Sequence, residues 1–352
     1  MGGTAPLSCM QIRYAVAGMP IQHSLSPVLA VLTATHLKQA GLKVQLEEIK
    51  LLESDEVTTP MAWAWVNKNR NQIGMHNRLY GDLATPESHS RLHRIASEIM
   101  SQVKTADSIN VPHGETLFHQ AEERIKVRRG DHESWISLTS PLKHLLSPRS
   151  GVHSLDDSLE NGSVNQLRWD GNNWYCAGTD GHGIVAIARH FGFDFESAGV
   201  ETPLLCMVGG GGSARSCAAA WSNAGGIIWS MNGRRPLDRR GPWVQNLISG
   251  EDVVDYVGPR LFVDFDSKTG ASESHRFAVA DLHLNPVYNS QEVGLVVEQN
   301  EVGFELDGRW LLAAQHLEAW ARIFCPEEAH LLPGLGLTMT RLLAMESALR
   351  AD

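Results

Sequence analysis

The feature that most constrains what this chain can fold into is the segment from Leu204 to Arg215. An uncharged apolar run, Leu204–Val208, leads directly into four consecutive glycines, and a segment of helix-forming composition, 213–224, follows without a break. A strand, a tight glycine turn and a helix start in immediate succession form the opening of a phosphate-binding βαβ unit. The segment therefore predicts an α/β fold with a parallel sheet built around this turn.

The glycine turn matches the dinucleotide-binding fingerprint in its Gly-x-Gly-x-x-Ala form through Gly209, Gly211 and Ala214. Gly209 permits the sharp turn, Gly211 lets the backbone approach a pyrophosphate, and the small Ala214 lets the helix pack close to the strand. The helix start at Gly212 and Ser213 offers free N–H groups and the positive end of the helix dipole to phosphates. Glycine-rich turns also occur as plain loops, so this motif alone leaves both interpretations open.

Strand and helix signals alternate on both sides of this turn. Runs at 12–18 and 43–51 predict two strands, and between them Ser26 is the expected N-cap of a helix with Pro27 as its first residue. Further strands are expected at 227–231, 260–264 and 277–282, and helices near 88–103, 115–125, 180–191, 308–324 and 337–350. This alternation is typical of parallel sheets with crossover connections.

The bulk properties exclude several classes of protein. A chain of 352 residues is long for one core and favours two domains. Its net charge of −10 argues against a nucleic-acid partner, which normally leaves a basic footprint. No apolar run approaches the length of a membrane span, and no signal-peptide pattern is found, so no membrane partner is expected.

The cysteine pattern predicts reduced thiols in a cytoplasmic protein. The five cysteines are scattered, odd in number and never spaced as Cys-x-x-Cys, which fits neither a disulfide framework nor a zinc site, and no metal is expected. They are Cys9, Cys176, Cys206, Cys217 and Cys325.

Short polar motifs follow one another in a fixed order along the chain. They are His23-Ser24-Leu25-Ser26-Pro27, Thr139-Ser140-Pro141-Leu142-Lys143, Val164-Asn165, Thr179-Asp180, the glycine loop 209–214 and Gln315. This series resembles the shikimate dehydrogenase family over most of the chain, apart from the stretch near 53–113. The resemblance implies an N-terminal α/β substrate domain (1–178), completed by C-terminal helices (305–352), and a Rossmann-type domain between them (179–304).

The resemblance implies that Lys143 and Asp180 are the catalytic pair. Oxidation of a secondary alcohol to a ketone removes the hydroxyl proton while hydride leaves, and the reverse reaction returns a proton to the carbonyl oxygen. An ammonium group beside a carboxylate can hold that oxygen and move the proton. Taken without the flanking motifs, the two residues would read as unrelated surface charges.

The same resemblance assigns substrate-binding roles to five short polar residues. Ser24 and Ser26 would bind a substrate carboxylate, and Thr139, Asn165 and Gln315 would bind ring hydroxyls, as Asp180 would. Each of these residue types occurs alone more often as a cap or turn former. Together they predict a small-molecule polyhydroxy carboxylate as substrate.

The residues after the second strand of the nucleotide unit favour NADP over NAD. An NAD site has an acidic residue about 20 positions beyond the glycine loop, where it accepts from the ribose 2′-OH. This chain has Asn232 there, followed closely by Arg234 and Arg235. Guanidinium groups suit a 2′-phosphate, so NADP is the expected cofactor and NAD the less favoured one. Which arginine contacts the phosphate is left open.

Several positions depart from the family pattern. Ser137, Gly178 and Gln166 replace a usual Asn, Asn and Thr, Leu284 stands where a substrate-facing Tyr is common, and Trp310 stands where a second glycine is usual. Leu284 and Trp310 could reshape the pocket, and the stretch 53–113 is longer than the family needs. The expected activity is NADP-dependent reduction of 3-dehydroshikimate to shikimate, a step of aromatic amino acid biosynthesis.

Two alternatives stay open. One is a quinate or amino-shikimate dehydrogenase of the same family, and the other is a non-catalytic ligand-binding regulator. The sequence is compatible with a monomer or a homodimer.

Overall fold

A computed structural model describes most of the chain. The described residues are 10–65, 76–77, 79–83, 85–106, 132–196, 201–250, 253, 255–266, 280–288, 297–299 and 303–351. The expected helix at 115–125, the beginning of the expected strand at 277–282, Cys9 and part of the 53–113 stretch lie outside them. Among the helices in these ranges, none has the length and apolar character needed to cross a membrane.

The first sheet has six strands in the order β2-β1-β3-β5-β6-β4. They are β1 (Met10–Gly18), β2 (Val44–Glu53), β3 (His132–Leu138), β4 (His153–Ser154), β5 (Gln166–Trp169) and β6 (Trp174–Ala177). β1 runs parallel to both β2 and β3, whereas β5 runs antiparallel to β3 and β6. The largely apolar β1 therefore sits inside the sheet, where both of its faces are covered.

Four helices accompany this sheet: α1 (Ser26–Gln39), α2 (Thr58–Trp65), α3 (Pro86–Gln102) and α4 (Asp180–His190). The expectation for α1 was wrong by one residue. Leu25 is the N-cap, with φ −92° and ψ −2°, and no side chain caps the helix. Ser26 therefore begins the helix, and its hydroxyl is not used as the N-cap.

The α3 helix confirms the expected amphipathic segment within 53–113. Its buried residues are Leu92, Ile95, Ala96, Ile99 and Met100. Thr85 caps its start by accepting from the backbone N–H of Ser88, which satisfies a group that a helix end leaves unpaired. The buried face packs against α1.

The second sheet contains the glycine turn and has the order β11-β12-β10-β9-β7-β8. Its strands are β7 (Leu204–Val208), β8 (Ile227–Met231), β9 (Arg260–Asp264), β10 (Leu282–Leu284), β11 (Val297–Gln299) and β12 (Phe304–Leu306), with α5 (Gly212–Asn223) directly after the turn. All neighbours are parallel except β11 and β12. Two sheets with surrounding helices confirm the predicted α/β class.

The C-terminal helices, α6 (Gly308–Ala319) and α7 (Leu335–Ala351), pack against α1. α7 also contacts α3, so the chain returns from the second sheet to the helices of the first. The expected division into a domain of 1–178 completed by 305–352 and a second domain of 179–304 stays a prediction.

Two glycines let α4 pack unusually close to its neighbours. A Cβ on Gly181 would lie 2.0 Å from the backbone oxygen of Ser216 in α5, and one on Gly183 would lie 2.8 Å from the backbone nitrogen of Gln315 in α6. Both contacts are with backbone atoms, which cannot move aside as a flexible side chain can. The absence of a side chain at these positions therefore sets the spacing of α4, α5 and α6.

We expect Gly181→Ala to lower the free energy of unfolding by about 3 kcal/mol, because the new methyl group overlaps the α5 backbone. Thermal unfolding followed by circular dichroism measures the effect as a lower Tm. Gly336→Ala is the matched control, since its Cβ would meet its nearest atoms at an ordinary 3.4 Å, and it should stay within about 1 kcal/mol of wild type. Equal Tm values for Gly181→Ala and wild type would contradict the close packing.

A buried histidine in α6 is held in its neutral form. The Nε2 atom of His316 accepts a hydrogen bond from the indole N–H of Trp320 at 2.9 Å, and its backbone partner is Leu29. Burial lowers the pKa of His316 to about 3, and the bond to Leu29 offsets only part of that effect. A proton on Nε2 would also point at the Trp320 N–H, which is already a donor.

This depressed pKa predicts a loss of stability in acid. The unfolded histidine titrates near 6.5, so its stabilising contribution is complete above that pH and is lost as pH falls from 6.5 towards 3. The slope from this residue is about 1.4 kcal/mol per pH unit. In urea titrations at several pH values, His316→Gln should therefore show a shallower pH slope than wild type. The exposed His330→Gln should keep the wild-type slope, and a wild-type slope in His316→Gln would reject the assignment.

Candidate active site

A cavity of about 670 Å³ opens between the two sheets. The loops that follow β1, β3 and β7 contribute to it, so it lies at the carboxyl ends of parallel strands, where α/β proteins bind their ligands. The predicted site residues that line it are Ser24, Ser26, Thr139, Lys143, Asn165, Asp180, Gly211, Gly212, Ser213, Ala214, Arg235 and Gln315. The predicted residues that do not line it are Gly209, Asn232 and Arg234.

Lys143 and Asp180 form an ion pair in this cavity. Lys143 lies in a one-turn helix, Leu142–His144, after β3, and Asp180 is the first residue of α4. The lysine Nζ is 2.6 Å from Asp180 Oδ2, and the two side chains are 17% and 2% exposed. The pair is thus partly desolvated, with the ammonium group on the cavity side.

Ser213 joins this pair from the glycine loop. Its hydroxyl accepts from Lys143 Nζ at 3.1 Å and donates to Asp180 Oδ2 at 2.7 Å. A lysine ammonium group has three hydrogens, and two of them are used by Asp180 and Ser213. Among the described residues no further hydrogen-bond partner of Lys143 is found, so one hydrogen remains for a ligand.

The amide of Asn165 organises the other side of Asp180. Its Nδ2 donates to Asp180 Oδ1 at 2.7 Å and lies 3.3 Å from Gln315 Oε1, while its Oδ1 accepts from the backbone N–H of Thr179 at 2.7 Å. Through these bonds Asn165, which precedes β5, is joined to the start of α4 and to the middle of α6. Thr139 lies on the same cavity wall.

A second polar chain behind Asn165 was missed by the sequence reasoning. The Ser137 hydroxyl donates to Gln166 Oε1 at 2.9 Å and lies 2.9 Å from the Tyr14 hydroxyl, and Gln166 Nε2 donates to Thr179 at 3.3 Å. Ser137 and Gln166 both replace usual family residues. That both positions differ from the family pattern was the signal available in the sequence, because the two side chains hydrogen-bond to each other.

The loop after β1 that carries Ser24 and Ser26, here called the serine loop, is fixed by residues of the 53–113 stretch that do not line the cavity. The Tyr80 hydroxyl donates to the backbone oxygen of Ser24 at 2.7 Å, and Asn77 Nδ2 lies 3.4 Å from the same oxygen. Both side chains are buried. No sequence signal linked these two residues to the site, since they carry no motif.

The glycine loop has the geometry of a phosphate-binding turn. Gly209 has a φ of +101°, which a residue with a side chain rarely adopts. A Cβ on Gly211 would meet no atom of the described residues within 4 Å, so its backbone faces open space. The start of α5 at Gly212 also lines the cavity, and its free N–H groups suit an anion. A nucleotide phosphate fits this turn.

The two predicted arginines are placed differently. Both are exposed, but only Arg235 lines the cavity. The backbone N–H of Arg234 donates to Asp266 Oδ2 at 2.5 Å, so a carboxylate after β9 fixes this turn. The sequence reasoning missed Asp266 because it searched for an acid along the segment after β8, whereas the sheet brings this one in from a neighbouring strand.

Leu284 and Trp310, which could have reshaped the pocket, do not line it. Both are buried, and Trp310 packs against the rings of His190 and Phe191. Tyr288, four residues beyond Leu284, lines the cavity instead. The side chains of Leu284 and Trp310 enter the core, so neither forms part of the described cavity wall.

Comparisons of the sequence give no relative. No protein-family model matches the chain, and no curated protein matches it either.

Comparisons of the structure give clear neighbours. Shikimate 5-dehydrogenase from Thermus thermophilus, solved in complex with NADP(H) and shikimate, matches with a TM-score of 0.51 and 17% identity over 97% of this chain and 99% of that one. Shikimate dehydrogenase from Mycobacterium tuberculosis matches with a TM-score of 0.53 and 14% identity over 95% and 98%. A chorismate mutase/shikimate 5-dehydrogenase fusion protein from Clostridium acetobutylicum gives 0.51 and 13% over 97% and 99%.

These identities are all low, so the likeness concerns architecture and not activity. It extends over nearly the whole of each chain and includes both sheets of this protein. The protein therefore has the fold of the shikimate dehydrogenases.

Proposed function

We propose that this protein is an NADP-dependent oxidoreductase that interconverts 3-dehydroshikimate and shikimate. The fold likeness supports an oxidoreductase, and NADP(H) and shikimate are the ligands of the Thermus thermophilus neighbour. The observation that carries the proposal is the Lys143–Asp180 pair on the wall of an open cavity, within hydrogen-bond reach of Ser213 in the glycine loop. A proton donor thus lies beside the turn that suits a nucleotide.

The lysine ammonium group has the right chemistry for the proton transfer. Bound NADPH would supply the hydride that reduces the ketone. Lys143 donates its remaining hydrogen to the carbonyl oxygen, on which negative charge develops, and takes the proton back in the oxidation direction. Asp180 keeps the ammonium group in place through the 2.6 Å contact and stabilises its charge.

The other predicted residues suit a polyhydroxy carboxylate. Thr139, Asn165 and Gln315 present hydroxyl and amide groups that donate to and accept from ring hydroxyls. Ser24 and Ser26 present hydroxyl donors for a carboxylate. With Lys143 between these groups and the glycine loop, a substrate carbonyl would face the nucleotide.

The residues present also fit the proposed cofactor. Gly211, Gly212 and the start of α5 suit the pyrophosphate, and Arg235 suits a 2′-phosphate because it is exposed at the cavity. Asp266 accepts from the backbone of Arg234, so its carboxylate is committed to fixing the turn. The proposed preference is therefore for NADP.

A dehydrogenase for quinate or an amino-shikimate is the second candidate. Gln166 and Ser137 line the cavity and replace the usual family residues, so the wall that meets the ring differs from the family pattern. A NADP-linked absorbance assay on the purified protein, with shikimate and quinate side by side, tests both. A larger kcat/KM for quinate would reject the shikimate assignment, and ligand binding without turnover would favour the regulatory alternative.

Replacing the lysine separates catalysis from binding. Lys143→Ala removes the proton donor, so kcat should fall by about 10²–10⁴-fold while NADPH binding stays measurable. Steady-state absorbance kinetics give kcat, and fluorescence titration gives the Kd for NADPH. The exposed Lys43→Ala should leave both unchanged, and a wild-type kcat in Lys143→Ala would sink the mechanism.

The two arginines provide an internal control for the cofactor. Arg235→Ala should raise the KM for NADPH about tenfold, because a charge-assisted contact with the 2′-phosphate is lost, and should leave the KM for NADH within about twofold. Arg234→Ala should have the smaller effect, since Arg234 does not line the cavity. Parallel changes for NADPH and NADH in Arg235→Ala would rule out the 2′-phosphate role.

A further inference from the structure

The glycine loop packs directly against the segment that carries the proposed proton donor. A Cβ on Gly212 would lie 3.5 Å from the Cβ of Lys143, which is an ordinary van der Waals contact. The guanidinium group of Arg215 donates to the backbone oxygen of Gly162 at 2.7 Å, so a second contact joins the first turn of α5 to the loop before β5. Contacts on both sides of Ser213 therefore fix the start of α5 beside the lysine.

The hydroxyl of Ser213 closes a triangle of hydrogen bonds with the ion pair. Lys143 Nζ is 2.6 Å from Asp180 Oδ2, and Ser213 Oγ is 2.7 Å from that carboxylate oxygen and 3.1 Å from the Nζ atom. An ionised carboxylate only accepts hydrogen bonds, so the single hydroxyl hydrogen goes to Asp180 and a lone pair is left for the lysine. Ser213 thus contacts both charged groups at once.

Neither the glycine fingerprint nor the start of the helix requires this hydroxyl. Position 213 is one of the free positions of Gly-x-Gly-x-x-Ala, so a nucleotide site needs no hydroxyl side chain there. The N-cap of α5 is Gly211, without a side-chain capping bond, and the hydroxyl of Ser213 is bonded to the ion pair. The ion pair therefore accounts for the side chain of Ser213, whereas its backbone belongs to the phosphate-binding turn.

A second acceptor restricts how the ammonium group of Lys143 can turn. A lysine head group lies at the end of a flexible four-carbon stem and has three rotatable donors, so a single contact with Asp180 leaves the other two hydrogens free to rotate. With Ser213 as a second acceptor, two hydrogens have fixed directions, and only one direction is left for the third. Because Lys143 lines the cavity, that direction determines where a carbonyl oxygen can accept the proton.

We propose that Ser213 is a positioning residue, through which the glycine loop sets the orientation of the Lys143 ammonium group. This inference rests on the proposed function, because it assigns Ser213 a part in the proton transfer to the ketone. The proton itself passes between Lys143 and the carbonyl oxygen, and Ser213 neither gains nor loses one. Since α5 begins at the turn that suits nucleotide phosphates, the orientation of the proton donor depends on the same segment.

The first test removes one oxygen atom from the start of α5. Ser213→Ala should lower kcat for 3-dehydroshikimate reduction about tenfold, because the ammonium group is no longer held in the productive direction. The Kd for NADPH, from fluorescence titration, should change less than about threefold. In the Lys143→Ala background the same change should lower kcat no further, because a residue that acts through Lys143 then has nothing left to orient.

Ser222→Ala is the matched control for the loss of a hydroxyl from this helix. Ser222 lies near the end of α5, its hydroxyl accepts from Asn246 Nδ2 at 2.8 Å, and it does not line the cavity. Its removal should leave kcat at the wild-type value, even if the Tm falls. A fall in kcat that is found in Ser213→Ala and not in Ser222→Ala is therefore specific to the start of the helix.

A second measurement needs neither cofactor nor turnover. The Ser213 hydroxyl accepts from the ammonium form of Lys143, so its removal favours the neutral amine, which is the form that acetic anhydride acetylates. In competitive acetylation of the cofactor-free protein followed by mass spectrometry, Lys143 should react about threefold faster in Ser213→Ala than in wild type. The exposed Lys43 is the internal reference, and its rate should be equal in the two proteins.

The outcomes separate this inference from the proposed function. Suppose that wild-type protein turns over shikimate with NADP. If Ser213→Ala then keeps the wild-type kcat, lowers kcat equally with and without Lys143, or leaves the acetylation rate of Lys143 unchanged, the role of Ser213 is overturned while the proposed function stands. If wild-type protein turns over neither shikimate nor quinate with NADP, the proposed function fails and the positioning role fails with it.

Discussion

The ionised carboxylate of Asp180 needs partners from several elements at once, because its side chain is almost entirely removed from water. A buried charge is costly unless it is both paired and hydrogen-bonded. Asp180 obtains its partners from Lys143 after β3, Asn165 before β5 and Ser213 in α5. Its place at the start of α4 adds the favourable end of a helix dipole. Each partner comes from a different part of the chain, so satisfying one charge helps to fix how the two sheets face each other.

The glycines of α4 make this convergence possible. Gly181 and Gly183 let the backbones of α5 and α6 approach α4 more closely than any side chain would allow. That approach brings Ser213 and Gln315 within reach of the start of α4. Packing and site chemistry thus depend on the same two positions, and a methyl group on either one would displace the polar groups as well as the helices.

Local sequence patterns were sufficient for most of the fold. The strands expected at 227–231 and 260–264 have those bounds in the structure, because short apolar runs between turn signals leave little choice of register. The start of α1 was missed by one residue, since Leu25 adopts helical angles that no capping preference predicts. Such errors at helix ends are small because they do not change which face is buried.

The site was only partly accessible from the sequence. Lys143, Asp180 and Asn165 were found through ordered motifs, and the structure places them in contact. Tyr288, Asp266 and Tyr80 were not found, because each acts through a contact between distant segments and belongs to a residue type with many ordinary uses. The effect of Leu284 and Trp310 on the pocket was left open, because a sequence position does not tell which way a side chain turns.

The hydrogen bonds of Tyr80 and Asn77 to the Ser24 backbone affect how much entropy the loop would lose when a ligand binds. A loop that becomes ordered only when its ligand binds loses conformational entropy, and this loss weakens the affinity. A loop that is already ordered before binding avoids most of that loss. Here two buried side chains from the long stretch after β2 fix the carbonyl of Ser24 without contacting the ligand groups themselves. These two residues thereby act as a rigid support for the loop. If the loop binds the proposed carboxylate, its serine hydroxyls would lose little conformational entropy on binding.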